Sequence, residues 1–151
     1  MSNLEQTLSI IKPDAVERNL QEEIKKNFIE NGFNIKNEKK IQISKNEAEE
    51  FYKVHETKPF YNDLCAYLSS GPIVVMILEH ENAVLRNRDL MGSTNPKEAE
   101  EGTIRKKYGI SIDKNSVHGS DSLENAKIEI NFFFFYDFEP FFNKYWFNFF
   151  I

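Results

Sequence analysis

Residues 71–78 read Gly-Pro-Ile-Val-Val-Met-Ile-Leu, an unbroken apolar run that follows a glycine–proline chain break. A short run of this kind, without polar alternation, is typical of a strand that is covered on both of its faces. We therefore predict a central strand over residues 73–78, inside a sheet whose other members lie elsewhere in the chain.

The segments on either side alternate between strand patterns and helix patterns. Further strands are predicted over residues 4–11, 33–43 and 116–118, the second with Phe33, Ile35, Ile41 and Ile43 on one face. Cap residues and apolar spacing predict helices that begin at Asn19, at the Ser44–Glu47 capping box, at Lys58, at Asn82, and at Asp121 or Ser122. Residues 93–114 lose this periodicity and predict a polar loop. The order is compatible with a single α+β domain, a ferredoxin-like split βαβ antiparallel sheet with helices on one face.

Composition limits the classes of partner and compartment. The chain has 151 residues and a net charge of −5, which argues against nucleic acid or an anionic membrane as partners. The one cysteine, Cys65, excludes an internal disulfide and a multi-cysteine metal site, and we interpret it as a small buried hydrophobe. The N-terminus carries no secretory signal pattern and no apolar stretch reaches 18 residues, so we expect a cytoplasmic protein.

The C-terminus has an unusual composition. Of the 21 aromatic residues, 13 lie between Phe132 and Ile151. We divide the chain into a domain over residues 1–134 and an aromatic-rich extension over residues 135–151. The simplest interpretation is added packing against the body or between subunits, and a reading-frame change near the end of the gene is the alternative. Our hypothesis is that the extension is buried at a subunit contact.

Among the three histidines, His118 is the candidate for chemistry. It precedes Gly119 and Ser120, and Glu129 follows on the next predicted helix, able to orient a ring nitrogen. The alternative, a histidine that only hydrogen-bonds a turn, stays open on these local features. His55 and His80 are interpreted as solvated or capping residues.

Any phosphate would have to be held by side chains. Neither the P-loop pattern nor G-x-G-x-x-G occurs in the chain. Lys12, Arg88 and Arg105 are the candidate phosphate ligands, with the Thr94 hydroxyl as a further donor. For each of these residues taken alone, an ordinary surface charge is the favoured interpretation.

Phe60 and Leu64 lie one helical turn apart and share a face. They could stack against a nucleobase, but spacing alone favours core packing. Tyr52 has the same two interpretations, a hydroxyl in the site or a core side chain.

Taken together, these blocks resemble the nucleoside diphosphate kinase family. The most specific block is Asn115-x-x-His118-Gly119-Ser120-Asp121. The likeness covers residues 4 to about 134 and includes five further segments: 7–14, 71–72, 81–92, 94–96 and 102–105.

The resemblance implies a role for each matching residue. It implies that His118 is the nucleophile that accepts the γ-phosphoryl group, positioned by Ser120 and Glu129. It implies that Phe60 stacks on the base with Leu64 beside it. The family positions that contact the phosphates or the sugar correspond to Lys12, Tyr52, Arg88, Thr94, Arg105 and Asn115.

The resemblance also implies the reaction and its partners. We expect ping-pong transfer from ATP or another nucleoside triphosphate to nucleoside diphosphates, with Mg²⁺ carried on the nucleotide phosphates and no metal site in the protein. We also expect a homo-oligomer, a tetramer or hexamer built from dimers. A non-catalytic relative is the alternative, and an RNA-binding ferredoxin-like domain is disfavoured because strand 4–11 lacks exposed aromatics and the charge is acidic.

Overall fold

The computed structural model of the chain describes residues 4–135. Its strands are β1 (Leu4–Ile11), β2 (Asn34–Ile41), β3 (Ile73–Glu81) and β4 (Val117–Gly119). Its helices are α1 (Pro13–Glu17), α2 (Gln21–Glu30), α3 (Lys45–Phe51), α4 (Tyr61–Leu68), α5 (Ala83–Met91), α6 (Ile104–Tyr108) and α7 (Leu123–Ile130). Short 3₁₀ turns lie at Lys53–His55 and Pro96–Glu98, and a π-type turn, Asn131–Phe135, follows α7.

The four strands form one antiparallel sheet in the order β2-β3-β1-β4. β3 pairs antiparallel with both β1 and β2, and β1 pairs antiparallel with β4. Consequently β1 and β2 run parallel with β3 between them, and β3 and β4 run parallel with β1 between them. These are two interleaved split βαβ units, so the predicted ferredoxin-like α+β class is confirmed.

The apolar run on β3 is buried on both sides of the sheet. Val74, Met76 and Leu78 face a first core, which α1, α2, α5 and α6 cover. The alternate residues of the run face a second core, which α3, α4 and α7 cover. The expectation of helices on one face is therefore wrong for the whole sheet, because extra helices outside the two crossovers close the other side.

A β-bulge changes the second strand from the predicted pattern. Ile35 pairs with Leu78 and Asn37 with Ile77, so Lys36 is one extra residue on β2. An extra residue reverses the side-chain alternation beyond it. Phe33 and Ile35 accordingly pack against the first core, whereas Ile41 and Ile43 pack against the second, and the prediction of one common face is wrong.

Helix starts follow the predicted caps in some places and not in others. The Ser44–Glu47 capping box is present, and Ser122 caps α7. Asn19 does not cap α2, because its φ of 58° is left-handed and it serves the turn after α1. The helix predicted from Lys58 begins at Tyr61, because Pro59 disfavours helical geometry at the residue before it.

Two short helices lie where none was predicted. α1 begins directly after β1 with Pro13 in its first turn, where a proline loses no hydrogen bond. α6 lies inside the predicted loop over residues 93–114, with the Thr103 hydroxyl accepting from the Lys106 N–H. Both helices have five residues, too few to show an apolar period.

The remaining expectations concern Cys65, membrane spans and the extension. Cys65 is a free, buried thiol in the second core, as predicted. In the part of the chain that the structure describes, no helix is long and apolar enough to cross a membrane. The predicted extension lies outside the described residues except for Phe135, whose side chain is 71% exposed.

Candidate active site

His118 lies on the short edge strand β4, where it pairs with Ile10 of β1. Its neighbour Gly119 permits close packing, since a Cβ there would lie 2.3 Å from Asn87 Nδ2 and 2.6 Å from Met91 Cε of α5. Because Gly119 has no side chain, β4 packs close to α5 at this position.

The His118 ring is held from one side by Glu129 of α7. His118 Nε2 lies 2.5 Å from Glu129 Oε1. An ionised carboxylate can only accept, so in the neutral imidazole Nε2 carries the hydrogen and Nδ1 keeps its lone pair. Ser120 Oγ also donates to Glu129 Oε1 at 3.2 Å and accepts from the Leu8 N–H at 3.3 Å, which fixes the carboxylate relative to β1.

Aromatic side chains and a cleft surround the histidine. Its ring centroid is 5.4 Å from that of Phe51 and 6.5 Å from that of Tyr52. A cleft of about 400 Å³ is lined by all three of these residues together with His55, Asp121 and other side chains. Burial, with the Glu129 carboxylate nearby, raises the pKa of the Tyr52 phenol well above its usual value, so this hydroxyl stays neutral.

A second group of site residues is joined by hydrogen bonds. Lys12, at the end of β1, donates from Nζ to Asn115 Oδ1 at 2.9 Å, and Asn115 Nδ2 donates to the Thr94 carbonyl at 3.1 Å. Burial and the Arg105 charge lower the pKa of Lys12 to about 8. The ammonium is thus buried beside a second cation, while the charges of Asp14 and Asp113 act in the opposite direction.

The two candidate arginines differ in burial. Arg105 is buried and donates to the Gly92 carbonyl at 3.0 Å and to the Val117 carbonyl, next to His118, at 2.9 Å. Arg88, on α5, is exposed to solvent. Burial and the charge of Arg88 lower the pKa of Arg105 to about 10, so the two guanidinium groups act on one another.

The base-stacking pair is only partly in the core. Phe60, at the residue before α4, is 47% exposed, so the core interpretation is wrong for it. The Phe60 ring centroid lies 5.9 Å from the His55 ring centroid, and the His55 ring centroid lies 6.2 Å from the Tyr52 ring centroid. Leu64 is half-buried and packs against the second core.

Comparison with known proteins agrees with this geometry. A family description, nucleoside diphosphate kinase, matches residues 5–138. The chain belongs to the nucleoside diphosphate kinase family. The chain is accordingly an enzyme, a nucleotide-binding phosphotransferase of the nucleoside-diphosphate kinase type.

Individual relatives support the same assignment. The chain is 60% identical to a nucleoside diphosphate kinase of Campylobacter jejuni over 131 residues, which are 87% of this chain and 96% of that protein. Among solved structures it resembles a nucleoside diphosphate kinase of Aquifex aeolicus, with a TM-score of 0.86, 42% identity, and coverage of 87% and 95%. It also resembles one from Encephalitozoon cuniculi, with a TM-score of 0.84, 38% identity, and coverage of 94% and 98%.

The structure joins most of the site residues that were predicted for a nucleoside diphosphate kinase. Hydrogen bonds, ring contacts or charge interactions connect His118, Glu129, Ser120, Tyr52, Lys12, Asn115, Thr94, Arg105, Arg88 and, through His55, Phe60. Leu64 is connected to this group through its own helix, where its N–H donates to the Phe60 carbonyl.

Some residues at the site were not predicted from the sequence. Phe51 contacts the His118 ring edge-on, but in the sequence it is only one apolar residue of a short helix. Asp121 lines the cleft, and a 2.6 Å hydrogen bond from Asn125 Nδ2 lowers the pKa of its carboxyl. His55 was interpreted as solvated or capping, yet it is half-buried in the cleft wall. His80 does act at a helix end, with Nε2 3.1 Å from the Asn31 carbonyl after α2.

Proposed function

We propose that the chain transfers the terminal phosphoryl group of ATP, or of another nucleoside triphosphate, to nucleoside diphosphates through a phosphohistidine on His118, and so maintains NTP and dNTP pools. In the first half-reaction the His118 nitrogen forms a bond to the γ-phosphorus. The bond from that phosphorus to the β–γ bridging oxygen breaks, and the nucleoside diphosphate leaves. In the second half-reaction a β-phosphate oxygen of a different diphosphate forms a bond to the same phosphorus from the vacated position. The phosphorus–nitrogen bond breaks, His118 is restored and the new triphosphate leaves, which gives ping-pong exchange.

The contact between His118 Nε2 and Glu129 Oε1 carries this proposal. It assigns the hydrogen to Nε2 and so leaves the Nδ1 lone pair as the nucleophile. As the phosphorus–nitrogen bond forms, the imidazole becomes positively charged, and the adjacent carboxylate stabilises that charge. Ser120 keeps the carboxylate in place through its own hydrogen bond.

The cations around the turn before His118 support a triphosphate as the ligand. The Arg105 charge adds to burial in lowering the pKa of Lys12, and the Arg88 charge adds to burial in lowering the pKa of Arg105, so the free protein holds positive charge that an anion would complement. Phosphoryl transfer depends mainly on positioning and charge neutralisation. We assign Asn115 and Thr94 to hydrogen bonds with the phosphates or the sugar beside Lys12.

An exposed aromatic ring supports nucleotide binding without a strong base preference. Phe60 presents its ring to solvent at the beginning of α4, with Leu64 one turn behind it. Stacking uses the π-face that every base has and does not contact the hydrogen-bonding edge. We therefore expect purine and pyrimidine nucleotides to be accepted, with the Tyr52 hydroxyl contributing to the site.

Mg²⁺ is expected to enter with the nucleotide phosphates. Among residues 4–135, no group of three or more His, Cys, Asp or Glu side chains lies close enough to hold a metal ion. Asp121 lines the cleft. A hydrogen bond from Asn125, together with the Arg88 charge, lowers the pKa of the Asp121 carboxyl and so favours its ionised form. Mg²⁺ prefers one or two carboxylates with substrate phosphates and water, so this carboxylate would hold a nucleotide-borne ion.

Labelling with ATP that carries a labelled γ-phosphate tests the proposed function. The protein, incubated briefly with this ATP and Mg²⁺, should acquire label that is labile in acid and stable in alkali. The variant His118→Ala should acquire none. A folded wild-type protein that binds ATP but takes no label would support the non-catalytic alternative and would contradict the proposal.

The assembly and the location of the protein remain predictions. We propose a homo-oligomer, a tetramer or hexamer of dimers, in the cytoplasm, on the strength of the family resemblance. Light scattering of the purified chain measures the assembly directly. Truncation after Asp137 tests the hypothesis for the extension, because unchanged oligomer size and solubility would exclude a role at a subunit contact.

A further inference from the structure

A strained turn lies between two of the proposed site residues. Ser116 has a φ of 74°, and the Val117 N–H donates to the Asn115 carbonyl at 2.9 Å, which closes a three-residue turn around it. The other non-glycine residues with positive φ among residues 4–135 are asparagines, which tolerate this region. Serine does not share that tolerance, so surrounding contacts must hold the turn.

The strained turn connects directly to the site on both sides. On one side, Asn115 accepts from Lys12 Nζ. On the other side, the Val117 carbonyl accepts a hydrogen bond from Arg105, and the next residue in the chain is His118. The Ser116 carbonyl itself accepts from the Lys12 N–H at 2.8 Å. A change in the turn would therefore displace the histidine relative to the cations.

The groups that hold the turn converge on one buried carboxylate. Asp14, on α1, has a side chain only 2% exposed. Its Oδ1 accepts from the Ser116 N–H at 3.3 Å, and its Oδ2 accepts from Ser116 Oγ at 2.9 Å. Arg18 donates to Oδ2 at 3.0 Å, and the Tyr67 hydroxyl of α4 donates to Oδ1. These contacts tie the turn to two helices on opposite faces of the sheet.

We propose that Asp14 is a positioning residue for phosphoryl transfer: its carboxylate, held by Arg18 and Tyr67, keeps Ser116 in the strained turn that places His118 relative to Lys12. This role rests on the proposed function. Asp14 does not touch the substrate. It acts through the turn, and a shift of about 1 Å in a reacting group can lower a rate about a hundredfold.

The chemistry of the site requires a carboxylate. Oδ1 accepts from the Ser116 N–H and Oδ2 accepts from Arg18, two groups that can only donate, and each oxygen also accepts from a hydroxyl. In Asp14→Asn one oxygen becomes an NH₂ group, which would point at hydrogen-bond donors. Ser116 would then lose one of its two bonds to residue 14, or the amide would be forced away from Arg18 and Tyr67.

The test is the single-turnover rate of label transfer from γ-labelled ATP to His118, at saturating ATP, in Asp14→Asn, Ser116→Gly and the double variant. Asp14→Asn should slow transfer about a hundredfold while the final labelled fraction stays near that of the wild type. Glycine adopts a positive φ without side-chain strain, so the double variant should transfer about tenfold faster than Asp14→Asn alone.

Two outcomes would overturn the proposal. One is a wild-type rate constant in Asp14→Asn with only the labelled fraction reduced, which is the result of a purely structural role. The other is a double variant no faster than Asp14→Asn. If the wild type itself takes no label, the proposed function fails, and this outcome is distinct because it does not depend on residue 14.

A milder pair of variants gives an answer even if Asp14→Asn does not fold. Tyr67→Phe removes one hydroxyl that donates to Asp14, and loss of one such hydrogen bond should slow transfer about two- to tenfold. Tyr61→Phe is the matched control, since it lies on the same helix and loses a hydroxyl bond to the Glu49 carbonyl instead. Equal transfer rates in Tyr67→Phe and Tyr61→Phe would contradict the proposal.

Discussion

The protonation of Lys12 should control the alkaline limit of activity. Its ammonium is buried next to Arg105, and both conditions lower its pKa from 10.5 to about 8. This difference corresponds to about 3 kcal/mol in favour of the neutral amine. Because the pKa is lowered, the charge is present below about pH 8 and is lost as the pH rises through that value. A neutral amine still donates to Asn115 but no longer neutralises a phosphate.

The size of the effect follows from the fraction of protonated lysine. With a pKa near 8, about 90% of the free enzyme carries the charge at pH 7 and about 9% at pH 9, so kcat/KM should fall about tenfold over this range. A bound phosphate favours the charged form, so kcat should fall only at higher pH. Neither Tyr52, whose pKa is raised, nor Arg105, with a pKa of about 10, titrates between pH 7 and 9.

Initial rates at several ATP concentrations between pH 6.5 and 9.5 measure this dependence. Lys12→Arg is the control, because the ordinary pKa of a guanidinium group is well above that of an ammonium group, so the fall between pH 7 and 9 should flatten whatever the overall activity of the variant. A wild-type kcat/KM that stays constant from pH 7 to 9.5, or an identical alkaline limb in Lys12→Arg, would refute the reasoning.

Three further substitutions test the roles of individual side chains. Arg88→Ala should lower kcat about a hundredfold, and because Arg88 is exposed the melting temperature should change little. Arg86→Ala, on the same helix, is the control. Equal rates in the two variants would exclude a role of Arg88 in charge neutralisation. Glu129→Gln should slow phosphorylation of His118 about ten- to a hundredfold, from the loss of one charged hydrogen bond, and a rate within twofold of the wild type would contradict this. Phe60→Ala should raise the dissociation constants of purine and pyrimidine nucleotides about five- to a hundredfold, and unchanged affinities by calorimetry would remove the stacking assignment.

Regular patterns in the sequence predicted the sheet well. The bounds of β1 match the prediction, and the apolar run on β3 is buried on both faces because each side meets its own core. The alternation rule failed on β2, where a single bulged residue, Lys36, moves Ile41 to the other face. A bulge depends on the pairing with β3 and leaves no mark in the local pattern.

Short helices and special backbone angles were harder to predict. Thr103 before α6 and Pro13 in α1 are recognisable start signals, but five residues give no period to confirm them. Asn19 has a side chain suited to an N-cap, and the structure uses its tolerance of positive φ instead. One residue type can satisfy either requirement, and tertiary packing decides between them.

The site was predicted as a set of residues and not as an arrangement. The family resemblance indicated His118 and Glu129, but the hydrogen bond between their side chains is visible only in the structure. The bond between Lys12 and Asn115 joins residues 103 positions apart, which no local pattern encodes. Asp14 lies in the family-like segment 7–14, but its hydrogen bonds to Ser116, 102 positions away, are visible only in the structure.

The most direct test of the central claim is transfer from the isolated phosphorylated protein. Protein labelled on His118 from γ-labelled GTP, freed of nucleotide and mixed with CDP and Mg²⁺, should pass its label to CTP and return unmodified. Retention of the label in the presence of CDP, or CTP formation by His118→Ala at the wild-type rate, would contradict a shared histidine that serves both half-reactions.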